Sequence, residues 1–125
     1  MLGSSQVVAF IITTDSAKAL AFYEGILGLR FVSEDPFALV MNANGNTVRI
    51  AKMEGAFTPA KQTVLGWEVA DIEAKVTEMS AAGVNFEKYG FPGQDERGVW
   101  TTPNGSKVAW FKDPDGNVLS VSQHP

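Results

Sequence analysis

Residues 7–28 read VVAFIITTDSAKALAFYEGILG, residues 64–83 read VLGWEVADIEAKVTEMSAAG, and the likeness between them decides the fold. The first opens on an apolar, β-branched run of the kind that forms a buried strand, Val7 to Thr13, and the second on a strand from Val64 to Val69. Each then places an aspartate, Asp15 or Asp71, where a carboxylate can accept from the free amides of a helix's first turn. An apolar stripe at helical spacing follows: Ala19, Leu20, Tyr23, Ile26 and Leu27 in the first half, Ile72, Val76, Met79 and Ala82 in the second. Gly28 and Gly83 end the stripes, where a left-handed residue closes a helix.

Working outward, three strands are expected after each helix. In the first half they cover residues 29–33, 37–42 and 47–52, with Asn44-Gly45 as the hairpin turn. In the second they cover residues 84–89, a segment around 107–111, and 118–122. Asp115-Gly116-Asn117 stands there as the counterpart of Asn44-Gly45-Asn46. The order strand, capped helix, three strands therefore occurs twice, an internal repeat. Module one spans about residues 6–53 and module two about 63–123, within a single domain of residues 1–125. The connector between them, about residues 54–62, carries Gly55 and Pro59.

Composition closes other doors. At 45 % apolar and 19 % charged residues the chain reads as folded and water-soluble. A net charge of −4 weighs against nucleic acid and anionic membranes, both of which need a basic face. The absence of cysteine removes disulfides, thiolate metal sites and cysteine nucleophiles, and fits the cytoplasm. No secretory signal is expected at the N-terminus. The one histidine, His124, leaves histidine triads and multi-histidine metal sites without residues to build them, and is expected to stand idle in solvent. No phosphate-cradling glycine motif is present, so no nucleotide or other cofactor is expected.

Three stretches carry a family resemblance. These are Asp15-Ser16-Ala17-Lys18-Ala19-Leu20-Ala21-Phe22-Tyr23, the following Ile26-Leu27-Gly28-Leu29, and Phe111-Lys112-Asp113-Pro114-Asp115-Gly116-Asn117. In this order they resemble the vicinal oxygen chelate superfamily, which groups glyoxalase I, bleomycin-resistance proteins and extradiol dioxygenases. The resemblance implies an α+β protein of two βαβββ modules forming an open, curved, eight-stranded mixed sheet. Helices would lie on its convex side and a ligand cavity on its concave side, commonly in a homodimer.

The resemblance also implies four metal-ligand positions, and here they hold Val8, Arg49, Val64 and Ser120. Valine offers no lone pair, arginine is a permanent cation, and neutral serine is a poor ligand. Shifting the alignment by one residue gives Ala9, Ile50, Leu65 and Val121, which is no better. No metal is expected, and the Lewis-acid chemistry of the metalloenzymes loses its carrier.

Alternation along the strands sets Phe10, Arg49, Glu68 and Ser120 on the cavity side, with Val8 and Val64, and turns Trp67 toward its helix. Trp100 and Trp110 are the aromatic candidates for stacking on a planar ligand. Arg49 is a candidate anion anchor and Glu68 a possible general base. The glycine-bounded segment 90–98 is expected as a surface loop. These residues point to metal-independent binding of a small, partly planar organic molecule, in the manner of bleomycin-resistance proteins. The alternative is a glyoxalase- or dioxygenase-type enzyme using metal or acid–base chemistry.

Overall fold

In the computed structural model, which describes residues 1–125, the chain forms two units, Met1–Thr58 and Pro59–Pro125, each built on its own four-stranded sheet. The first contains β1 (Val8–Thr13), α1 (Ser16–Leu20) continued by a π-helical stretch (Ala21–Ile26), β2 (Arg30–Glu34), β3 (Ala38–Ala43) and β4 (Asn46–Lys52). The second contains β5 (Thr63–Glu68), α2 (Ile72–Ala81), β6 (Trp100–Thr101), β7 (Lys107–Lys112) and β8 (Val118–Gln123). The sheet orders are β1-β4-β3-β2 and β5-β8-β7-β6. In both, the first and last strands run parallel and the other pairs antiparallel. The α+β class with repeated βαβββ modules stands, with the eight strands divided between two mixed sheets.

The aspartates cap their helices alike: the Lys18 amide donates to Asp15 Oδ1 and the Ala74 amide to Asp71 Oδ1, both at 3.1 Å. The first unit's core gathers Ile11, Ala19, Phe22, Tyr23, Leu39, Met41, Val48 and Ile50. The expected helical stripe is modified there. The π-helical register, in which the Leu27 amide reaches back to Phe22 O at 2.9 Å, turns Phe22 inward beside Tyr23 and leaves Ile26 exposed. The second unit's core is Ile72, Val76, Val84, Ala109, Phe111, Leu119 and Val121.

Residues 84–89, expected as a strand, do not form one. Their pairing with β7 is a single bridge, Phe86 opposite Phe111, with the Glu87 amide donating to Trp110 O at 2.8 Å. The same edge of β7 is taken up again by β6, where Trp100 stands opposite Val108. The intervening residues 88–99 loop out, because other partners satisfy their backbone. Gln94 Oε1 accepts from the amides of Tyr89 (2.8 Å) and Gly90 (3.2 Å), and Gln94 Nε2 donates to Glu87 O and Gly98 O, both at 3.0 Å. A side chain has taken the role that a strand partner would have had.

Candidate functional site

Alternation gives each sheet a face under its helix and a helix-free face. In the second unit Leu119, Val121, Ala109 and Phe111 are buried on the helix side, where Trp67 stacks on Phe111 with ring centroids 6.4 Å apart. The helix-free face can be followed in rows across the strands. One row runs Glu68, Ser122, Val108, Trp100. The next runs Gly66, Ser120, Trp110. Neighbouring strands lie about 4.8 Å apart, so Glu68 on β5 and Trp100 on β6 stand at opposite margins with Ser122 and Val108 between, while Trp110 on β7 reaches back past Ser120 to Thr63 on β5. A Cβ on Gly66 would meet Ser120 Oγ at 2.6 Å, so only glycine leaves the serine undisturbed.

The tryptophan margin is a wall of four rings. Trp100 and Trp110 stack at 6.0 Å with planes 29° apart. From the loop, Tyr89 packs on Trp110 at 5.5 Å, and Phe91 packs on Trp100 at 5.5 Å and on Trp110 at 5.9 Å. The polar ends are fixed: Trp110 Nε1 donates to Thr63 Oγ1 and Trp100 Nε1 to Pro92 O, both at 3.1 Å. Yet Tyr89 and Phe91 remain 44 % and 42 % exposed. An open hollow of about 420 Å³, lined by Phe91, Pro92, Trp100, Thr101, Thr102 and Pro103, adjoins the wall. The loop is thus held by Gln94 and contributes two of the four rings.

At the opposite margin His124 is not idle. Its amide donates to Glu68 Oε2 at 2.8 Å, and its Nδ1 lies 2.6 Å from Glu68 Oε1, which also accepts from Ser122 Oγ at 3.0 Å. The backbone hydrogen bond from His124, then its side chain and that of Ser122, hold the Glu68 carboxyl below the ordinary glutamate range. A carboxyl so stabilised in its charged form is a weaker proton acceptor.

In the first unit, Phe10 and Arg49 are partners across β1 and β4 on the helix-free face. The sequence-predicted residues therefore fall into two groups: Phe10 with Arg49, and Glu68, Ser120, Trp100 and Trp110. Val64 is displaced from its expected place. A bulge in β5 sets Thr63 opposite Val118, and Thr63 serves Trp110. Sequence reading gave no role to Tyr89, Phe91 or Gln94 and expected His124 to stand idle. The aromatic pair flanking Gly90 was the available signal for the first two.

The four positions of the implied metal site do not fit a cation. Val8 and Val64 carry no donor atoms, Arg49 brings positive charge, and Ser120 brings one neutral hydroxyl. Nor do three or more His, Cys, Asp or Glu side chains gather elsewhere. No helix is long and apolar enough to cross a membrane.

A family model described as the Glyoxalase/Bleomycin resistance protein/Dioxygenase superfamily matches residues 5–121. No curated protein matches the chain. Among solved structures, a member of that superfamily from Sphaerobacter thermophilus is 26 % identical, covering 99 % of this chain and 100 % of that one, with a TM-score of 0.76. An antibiotic binding protein from a Streptomyces species is 21 % identical over 100 % of this chain and 99 % of that one, TM-score 0.75. A lactoylglutathione lyase from Agrobacterium tumefaciens is 17 % identical over 96 % and 93 %, TM-score 0.74. At 21 % and 17 % identity the last two share the fold.

Proposed function

The chain belongs to the Glyoxalase/Bleomycin resistance protein/Dioxygenase superfamily, and from that premise we propose that it binds a small, partly planar organic molecule without a metal. One observation carries this reading: four aromatic rings in mutual contact, two of them over two-fifths exposed, beside a floor of glycine and serine. Flat rings packed into a wall keep their orientation, and their open sides favour a second flat ring by offset stacking. Trp100 and Trp110 are the stacking residues, Gly66 and the half-buried Ser122 give the ligand room beside the buried Ser120, and Glu68 accepts hydrogen bonds from its polar end. Phe10 and Arg49 stand on the helix-free face of the first unit and are a separate candidate surface.

The donor-poor residues at the metal positions support binding without metal. The antibiotic binding protein with the same fold supports ligand capture as a use of this scaffold. The exposed apolar side chains Phe31, Val32 and Phe37 support a homodimer, and the lack of cysteine supports a cytoplasmic setting. The test is a titration of tryptophan fluorescence with a panel of planar aromatic compounds. Saturable quenching that weakens at least tenfold in Trp110→Ala is expected. No saturation with any compound, in protein shown to be folded, would overturn the proposal.

An enzyme of the glyoxalase or dioxygenase type is the second reading, and the Glu68–His124 contact is what favours it. With Nδ1 turned to the carboxylate, Nε2 is the ring nitrogen left to exchange a proton with a substrate, so the imidazole rather than Glu68 would be the base. Turnover lost in both Glu68→Gln and His124→Gln, with binding retained, would move this reading to first place.

A further inference from the structure

Arg49 is an exception among the basic side chains. Lys52, Lys75, Arg97, Lys107 and Lys112 each have a carboxylate partner. Of the others, Lys18, Arg30, Lys61 and Lys88 are exposed, as unpaired surface cations usually are, whereas Arg49 is half-buried. It stands mid-sheet on the helix-free face of the first unit, between Phe10 on β1 and Val40 on β3. Val8 and Ile12 share that face two residues either side of Phe10. The carboxylate that feels its charge, Asp35, lies beyond ion-pair distance and gives Oδ1 to the amides of Phe37 (2.7 Å) and Ala38 (2.9 Å).

A guanidinium has five donors and no acceptor. Partial desolvation among apolar side chains without a counter-charge is unfavourable unless something else supplies acceptors. A carboxylate or sulfonate meets it with two parallel hydrogen bonds. Beside it the exposed ring of Phe10, 64 % open, with Val8 and Ile12, offers an apolar bed for the body of the same molecule. We propose that this face is a binding site for a flat organic anion, with Arg49 holding the acidic group and Phe10 the ring system. The inference names a charge class for a ligand of the first unit's face, and it rests on the proposed function only in taking a helix-free face to bind ligand.

The probes are 2-naphthoate, its neutral isostere 2-naphthamide and the cationic 2-naphthylmethylamine, followed by amide chemical shifts of the full chain. All three tryptophans, Trp67, Trp100 and Trp110, lie in the second unit, so indole signals and first-unit amides report separately on the two faces. Naphthoate is expected to shift the amides around Phe10, Val40 and Arg49 and to bind at least tenfold more tightly than the amide or the amine. In Arg49→Met that preference should vanish while thermal stability holds or rises, since an unpaired cation has been removed from an apolar face. Equal binding of the three probes would overturn the anion site, as would loss of stability in Arg49→Met. Shifts confined to the second unit would overturn it too while leaving aromatic binding intact; no shifts anywhere would overturn both. Protection of Phe10 and Arg49 that grows with protein concentration and resists naphthoate would assign the face to a second copy of the chain and overturn the anion site.

Discussion

Gln94 gives the most demanding test of how the aromatic wall is built. One side-chain amide makes four hydrogen bonds to the backbone, two accepted at 2.8 and 3.2 Å and two donated at 3.0 Å. At about 1 kcal/mol net for each bond, truncation to alanine would remove about 4 kcal/mol. The amides of Tyr89 and Gly90 lie in exposed residues, so water replaces Oε1 there. The carbonyls of Glu87 and Gly98 lie in part-buried surroundings, where replacement is poorer. Discounting the exposed pair leaves about 2–3 kcal/mol for Gln94→Ala. Gln94→Glu keeps the accepting oxygen but sets a carboxylate against two carbonyl oxygens, and should cost more at neutral pH. Urea unfolding followed by tryptophan fluorescence reads the global term, and hydrogen exchange at the Tyr89 amide reads local opening of the loop. Planar ligands should bind more weakly once Tyr89 and Phe91 are released. Gln94→Ala within about 0.5 kcal/mol of the parent, with the Tyr89 amide still protected, would refute the claim that this side chain holds the loop.

Other expectations follow from the same geometry. Gly66→Ala should destabilise by about 1–3 kcal/mol through the 2.6 Å approach to Ser120 Oγ. Ser120→Ala in the same chain should restore most of the loss, and strict additivity in a double-mutant cycle would contradict the contact. Asp113 is buried and accepts from the Asp115 amide (3.0 Å), the Asn117 amide (2.9 Å) and Asn117 Nδ2 (2.8 Å). Asp113→Ala should therefore cost about 2–4 kcal/mol in denaturant titrations, because it orphans buried donors. The Glu68 carboxyl is depressed chiefly by the His124 amide. Its contribution is complete above the ordinary glutamate range and is lost as pH falls through the depressed folded value. Protection of the His124 amide, measured against its intrinsic exchange rate, should fall below that value in the parent chain and be absent at all pH values in Glu68→Ala.

Much of this architecture was legible because it is written locally. The capping aspartates, the terminating glycines Gly28 and Gly83 and the Asn44-Gly45 turn act within a few residues of themselves, and their repetition carried the fold. Residues 84–89 misled for the opposite reason. Their β-favouring pattern was genuine, yet their partner was settled by Gln94 and by competition with Trp100 for one edge of β7. The site divides the same way. Strand parity put Phe10 and Arg49 on one face, and Glu68 and Ser120 on one face, with no knowledge of the fold beyond alternation. Nothing in the order of residues announced that His124 would meet Glu68, or that Tyr89 and Phe91 would fold back onto the tryptophans. Those are contacts between distant segments, made by side chains whose local context was turn or tail.

The central claim, that the helix-free face of the second sheet is the ligand surface, is tested most directly by the three indole N–H signals. Trp100 and Trp110 stand at that face, while Trp67 lies against Phe111 on the helix side. On titration with a planar aromatic compound, the Trp100 and Trp110 signals should move together and saturate while that of Trp67 stays in place. Equal movement of all three, or movement of Trp67 alone, would contradict the account.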